Sequence, residues 1–575
     1  LAPGKIGKEL TCSIRVIGLD SDAEYEALSY VWGDLNTQKD VDIGGQRTPV
    51  TDNLHLALQR LRHPTKTRTI WIDQLCINQS DNLERSSQVA MMRDIYQKSS
   101  CCIIWLGELE GISSRSAADV FDFIKEVAAF GMTEYRGLPT LLQNAPKGGK
   151  AREAFAAFAM YGNPWWSRIW TIQEAIIPPH ASFVWGHLSV SRQDVSAAAQ
   201  NLRSNILHSP FDKLFEFQRV QHYELLRRMI YPVHGFIYST TIDGPLDLLM
   251  RWRHRDATDP RDKVYALMGL LPDTALPSAR GYDYEAPASL LFANVTFDLI
   301  RLEGNLRSLI GSCEMPHRTS HLPTWAIDFA STNRVAQRQL KWWGHSHRYG
   351  QFSACGQRAL EASLSSNSMS LSLTGLYLDK IEVTSNVWEV ADDVAIGINE
   401  LHNTLVYWDE LLQQWRTSHD SPAEYVTGET WESAFFRTSL GDLIMKEYPV
   451  QRALPEQVNY LVKWMTALMY DKISLTYDKA ISLLYESLCG MLPNQAFFVT
   501  VKGYIGVGPP DARSGDQVWI LCGGQVPFVL RETQQESTAF DGACERSLVG
   551  DAYVHGIMDG EAVGDNAEMQ TVRLY

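Results

Sequence analysis

Thr69-Ile70-Trp71-Ile72, the run from Ser80 to Tyr96, and Cys101-Cys102-Ile103-Ile104-Trp105-Leu106 decide the fold class of this 575-residue chain. The first stretch is a compact strand. In the second, Ser80 or Asp81 can cap an amphipathic helix that runs to Tyr96, and the third is an apolar strand. The same alternation extends upstream. Leu10-Thr11-Cys12-Ser13-Ile14-Arg15-Val16 alternates like a half-buried strand, and Glu26 to Trp32 reads as another. Val41 to Val50 is a hairpin turning at Gly44-Gly45, and Asn53 can cap a helix over 54–61. Strands and helices in this order imply an α/β fold with a mostly parallel, doubly wound sheet. Ligands of such sheets sit at the carboxyl ends of the strands.

Two of those ends are polar. Ser29-Tyr30-Val31-Trp32-Gly33-Asp34 offers hydroxyls, an indole and a Gly that permits close backbone approach, and Asp73, Gln74, Cys76, Asn78 and Gln79 follow the strand at Ile72. Either segment alone could be a loop satisfying its own backbone. A third segment, Trp165-Trp166-Ser167-Arg168-Ile169-Trp170-Thr171-Ile172-Gln173-Glu174, reads as a helix that places Ser167, Trp170 and Glu174 on one face. By itself it could equally be an aromatic core anchor with an incidental acid. Together the three describe the wall of a crevice. Cys76 could be a nucleophile if a helix terminus lowered its pKa, but Leu75 and Ile77 beside it favour a buried structural thiol.

Composition narrows the partners. Hydrophobic residues make up 45% of the chain, charged residues 21% and aromatics 10%, with 17 Trp, which suits globular domains with aromatic-lined pockets. A formal charge of -15 opposes binding to nucleic acid, and the basic cluster Arg251, Arg253, His254 and Arg255 is interleaved with Asp256, Asp259 and Asp262 as a solvated ion-pair face would be. Nine scattered Cys without a CxxC pair fit reduced thiols in the cytoplasm. No apolar run reaches the roughly 18 residues of a membrane span. The opening Leu1-Ala2-Pro3-Gly4-Lys5 has no signal-peptide core, while a start at Leu leaves room for a trimmed segment ahead of it.

Downstream, the pattern from Pro178 to Pro323 is mainly helical, with Asp259-Pro260-Arg261-Asp262 as a turn and helix start. Strands surround Leu371 to Val383, helices run through roughly 391–491, and Gly- and Pro-punctuated strands from Gly503 to Arg531 suggest a small barrel or curled sheet. The expected divisions are 1–180, an α/β domain; 181–340, a mainly helical extension; and 341–575, an α+β region with a β-rich tail. Gly503-x-x-Gly506-x-Gly508-Pro509 lacks the Lys-Ser/Thr of a phosphate loop and is explained by turns. His345-x-His347 has no nearby carboxylate or thiol, so no metal site is expected.

Tyr25 to Asp34, Ile70 to Gln79 with Glu84, Gln88, Met91 and Tyr96, and Arg168 to Glu174 resemble the three signature blocks of the heterokaryon incompatibility (HET) domain of filamentous fungi. Looser similarity runs through 259–267, 322–325 and 506–561. The resemblance implies a part in non-self recognition and programmed cell death. It also implies a TIR-like, flavodoxin-like sheet, because HET domains look like distant relatives of Toll/interleukin-receptor domains. Enzymatic members of that group cleave NAD. Carried onto this chain, the likeness makes Glu174 the stabiliser of an oxocarbenium-like ribose, with Trp170 and Trp32 stacking on rings. The candidate catalytic residues are Glu174 and, for an enzyme on this scaffold acting on another small molecule, also Asp73 and Cys76 as acid, base or nucleophile. The candidate substrate-binding residues are Ser29, Tyr30, Trp32, Gly33, Asp34, Asn78, Gln79, Trp170 and Gln173. NAD is expected as a substrate rather than a cofactor, and self-association is expected to accompany activity. Two other readings stay open: an enzyme on the same scaffold acting on another small molecule, and a non-catalytic interaction protein.

Overall fold

The computed structural model describes residues 1–129, 150–158, 162–208, 244–311, 319–331, 349–388, 394–444, 450–459, 462, 466, 487–488, 490–533, 545–564 and 566–575. His345 and His347 lie outside them. The chain divides into two compact units, Leu1–Ala286 and Pro287–Tyr575.

The first unit is built on a five-stranded sheet of β1 (Glu26–Ser29), β2 (Ile70–Trp71), β3 (Cys102–Trp105), β4 (Ala181–Trp185) and β5 (Leu188–Ser191) in the order β2-β1-β3-β4-β5. The first three neighbours pair in parallel and β4 with β5 antiparallel. β3 lies between parallel neighbours and all its residues are buried, which is why it reads as an unbroken apolar run. Leu28, Tyr30, Leu54, Leu58, Ile72, Ile103 and Trp105 belong to one core cluster, each aliphatic side chain contributing roughly 1.5–3 kcal/mol by leaving water. The β4–β5 hairpin falls in a stretch expected to be helical. Ala181, Phe183 and Trp185 alternate with less buried neighbours, a period of two too short to stand out beside the helices Arg192–His208 and Pro245–Trp252.

Local signals held in part. The hairpin Gln38–Ile43 with Gln46–Thr51 turns at Gly44-Gly45. Of 10–16, only Thr11–Cys12 pairs, alongside the hairpin, and Ile14 and Val16 are exposed because no partner strand extends that far. α1 spans Asp52–Leu61 behind Thr51, so Asn53 is not its cap. Its amide instead donates to the Val31 carbonyl (2.6 Å) and accepts the Trp105 indole N–H (3.0 Å), tying two strand ends together. Asp81 does cap α2 (Asn82–Lys98), accepting from the backbone N–H groups of Leu83 and Glu84.

The main sheet of the second unit has nine strands among its described residues: β6 (Ala362–Leu364), β7 (Leu371–Val387), β8 (Ala496–Thr500), β9 (Ile505–Gly508), β10 (Gln517–Leu521), β11 (Phe528–Glu532), β12 (Glu545–Asp551), β13 (Tyr553–Val554) and β14 (Gln570–Leu574). β7 pairs in turn with β14, β10 and β8, and β10-β11-β12-β14 returns to β7, closing a barrel-like ring. Gly375 is the crossing point. It faces both Gln570 and Leu521, and a Cβ there would come within 2.8 Å of the Ile520 carbonyl oxygen. Register breaks at 377–379 and beyond bend β7, and that one strand serves four neighbours, β6 included. The helices Val394–Ser418 and Trp431–Leu440 lie between β7 and β8 in the chain. Gly503 opens a turn into β9 rather than a helix, as the missing Lys-Ser/Thr implied. No described helix is long and apolar enough to cross a membrane.

Candidate functional site

The carboxyl ends of β1 and β2 open onto a cavity of about 730 Å³ in the first unit, whose lining includes Trp32, Asp73, Arg85, Arg168, Trp170 and Glu174. Its placement follows from the sheet: Ser29 ends β1 and Trp71 ends β2, so the segments after them meet at one edge.

The third wall folds differently from its helical pattern. Pro164 starts a short 3-10 turn, Pro164–Ser167, whose cap Asn163 accepts from the Trp165 backbone N–H (3.0 Å) and donates its amide to the Leu106 carbonyl (2.7 Å). Arg168 is extended beside Asp256, and α3 (Thr171–Ile176) begins only after Trp170. Ser167 is thereby parted from Glu174. Its hydroxyl donates back to the Pro164 carbonyl (2.9 Å), outside the cavity.

Glu174 lies 3% exposed and accepts the Ser29 hydroxyl at 2.5 Å, while the Trp165 indole N–H donates to the same Ser29 oxygen at 2.8 Å. Burial drives its pKa up to about 7, against the pull of the Arg168 charge and the Ser29 hydrogen bond. Asp73 is also raised by burial, with Arg168 opposing. It accepts from the Trp32 indole and from the Gln74 backbone N–H, both at 2.7 Å. The Tyr30 hydroxyl donates to the Gln74 side chain (3.1 Å), and its carbonyl accepts from Arg168.

The opposite wall comes from Asp256 to Asp262 and from Tyr284. The Trp170 indole and the Tyr284 hydroxyl (2.6 Å) both donate to Asp262, whose carboxyl is pushed up by burial. Each cavity indole is thus pinned by a carboxylate, Trp32 by Asp73 and Trp170 by Asp262. Arg261 holds Asp259 through two hydrogen bonds (2.9 and 2.8 Å), and Arg85 lies 3.7 Å above the Tyr284 ring.

Of the residues singled out from sequence, Trp32, Gly33, Asp73, Gln79, Trp170 and Glu174 line the cavity. Ser29 and Tyr30 are buried behind it. Gly33 has a φ of 81°, a conformation that favours Gly at this bend. Asp34 and Asn78 are exposed and turn their oxygens to Asn36 and to Ser80. Gln173 is not in the lining itself, and its amide donates to the sulfur of Met92, which is. Cys76 is an exposed free thiol outside the lining, and desolvation raises its pKa, which does not favour a thiolate. Sequence reasoning assigned no site role to Arg85, Arg168, Asp262 or Tyr284. The dense charges of Asp259-Pro260-Arg261-Asp262 were the one available signal, and they also describe a solvated face.

Residues 25–174 match the family model described as heterokaryon incompatibility protein (HET), and residues 468–573 match that of the Het-6 beta-barrel domain. The chain is 24% identical to heterokaryon incompatibility protein 6, OR allele, of Neurospora crassa, over an alignment of 671 residues covering 98% of this chain and 94% of the relative. No solved structure matches. The first match contains β1, β2, β3 and the start of α3, so its span carries Ser29, Asp73 and Glu174, and the second contains most of the barrel. Over those spans the chain is similar to the HET domain and the Het-6 beta-barrel domain, and along nearly its whole length it is similar to a heterokaryon incompatibility protein.

Proposed function

We propose that the cavity cleaves the N-glycosidic bond of NAD, as the effector step of a heterokaryon-incompatibility response that ends in cell death. One observation carries this reading: a buried carboxyl, wired to Ser29 and Trp165, lines a cavity with two pinned indoles. The mostly parallel sheet with its site at the strand ends supports a TIR-like relationship. A cavity of about 730 Å³ is also within the range that holds a dinucleotide-sized ligand.

In this reading Trp32 and Trp170 offer π faces to the flat rings. The C1′–N bond breaks with its electron pair passing to the nicotinamide nitrogen, which neutralises the pyridinium. Positive charge moves to the ribose, where the ionised Glu174 stabilises it at short range from its buried position. Water then adds to C1′ and yields its proton to Glu174 and on to solvent, giving ADP-ribose, nicotinamide and a proton. Asp73 and Asp262 hold the indoles in place and take no proton in this scheme.

Purified protein incubated with NAD should release nicotinamide and ADP-ribose, separable by chromatography. Glu174→Gln keeps the shape and removes the charge, and should slow release roughly 10²- to 10³-fold. Absence of release from both monomeric and assembled protein would refute the proposal.

A further inference from the structure

Arg85 occupies an unusual position in an acid-rich wall. Its guanidinium stacks 3.7 Å above the Tyr284 ring, and its ion pairs with Asp259 and Asp262 are 3.5 and 3.9 Å long. Those separations exceed the roughly 2.7–3.2 Å of an N–H···O hydrogen bond. The short contacts to these carboxylates are already taken. Arg261 grips Asp259 in a two-point fork, while Tyr284 and Trp170 donate to Asp262. Among the described residues, the Arg85 side chain therefore makes no hydrogen bond.

Charge reinforces the geometry. Burial pushes the Asp262 carboxyl up, toward its neutral form. Asp259 feels the same push, but the hydrogen bonds and charge of Arg261 hold it below its ordinary value, as a carboxylate already paired. Arg85 lends its charge to both carboxylates without a hydrogen bond to either. The other cavity arginine, Arg168, is committed: it donates to the Tyr30 carbonyl, and its charge acts on Asp73 and Glu174. A planar guanidinium, held 3.7 Å over an aromatic ring with its donors unspent, is organised in advance for an oxyanion.

We infer that Arg85 is the anion receptor of the cavity and takes the diphosphate of a dinucleotide whose ribosyl end faces Glu174. This rests on the glycosidic reading above for the identity of the ligand, but its test does not need turnover. Titration calorimetry with ADP, AMP and adenosine, on the full chain and on Arg85→Gln, reads the anion contribution directly. A charge-assisted hydrogen bond of about 1.5–3 kcal/mol corresponds to a loss of about tenfold to a hundredfold in ADP affinity. The loss should be smaller for AMP and smallest for adenosine, and the KM for NAD should rise by more than kcat falls. Should Arg85→Gln not fold, Arg85→Lys keeps the charge, loses the planar fork and is read in the same series. The inference is overturned if the unaltered chain does not bind ADP, or if the substitution weakens adenosine as much as ADP. ADP binding that depends on Arg85 without nicotinamide release would leave the receptor standing and remove the glycosidic reaction. Release that depends on Glu174, with ADP affinity indifferent to Arg85, would do the reverse.

Discussion

Glu174 in the first unit and Glu429 in the second are glutamates in polar networks with opposite outcomes. Glu174 accepts one hydroxyl, from Ser29, and burial carries it up to about 7. Glu429 is also pushed up by desolvation, yet it is held down at about 2 by its donors. Thr427 (2.9 Å) and Ser433 (2.6 Å) hydrogen-bond to it, the Nε2 of His555 lies at 2.6 Å, and Arg437 at 3.4 Å. Tyr553 completes the arrangement at the Nδ1 of His555 (2.8 Å). The contrast teaches that the supply of donors decides what a glutamate becomes. A carboxylate whose lone pairs are spent is a strut, whereas one with spare capacity facing a cavity is available for chemistry.

The largest effect that tests this contrast is on rate. If ionised Glu174 is the working form, nicotinamide release should climb about tenfold per pH unit well below 7 and level off above it, or roughly fiftyfold from pH 5 to 7. A flat profile over that range would remove Glu174 from the reaction. The next effect is on stability, and the two glutamates should carry opposite signs. Glu429 has a lowered folded-state pKa, so its contribution is complete above about 4.5 and fades as pH falls toward 2. Glu429→Gln should cost about 1.5–3 kcal/mol in urea titrations at pH 7, read by Trp fluorescence. Glu174 has a raised pKa, so its protonated form favours folding below about 4.5, and that contribution is lost as pH rises through 7. Glu174→Gln should therefore be more stable than the unaltered chain at pH 8, by an amount that shrinks in acid. Equal signs for the two variants would break the comparison. The smallest effect sharpens it: Ser29→Ala removes the one donor that lowers Glu174, and should move the midpoint of the pH–rate profile upward by about one unit.

Much of the first unit was legible because its signals are local. The apolar run at Cys102–Trp105, the Asp81 cap and the Gly44-Gly45 turn each act over a few residues, and each folds as its residues dictate. The β4–β5 hairpin was missed because five residues of alternation resemble part of an amphipathic helix. Ser167 was misplaced because Pro164 and the Asn163 cap favour a separate 3-10 turn, which periodicity does not register. Asn53 has the chemistry of a cap, but stronger distant partners at Val31 and Trp105 claim it.

The site divides along the same line. By itself, the sequence determined an α/β unit with polar strand ends, the three HET blocks and the candidacy of Glu174, since strand order and residue type are written in neighbouring positions. Only the tertiary structure decided that Ser29 would hydrogen-bond to Glu174 across 145 residues, that Asp73 and Asp262 would pin the two indoles, and that Arg85 would keep its donors. Those are properties of pairs distant in the chain. A carboxylate's pKa and an arginine's free hydrogen-bonding capacity depend on which groups surround it and how much water they displace, and neither quantity exists until the sheet brings the segments together.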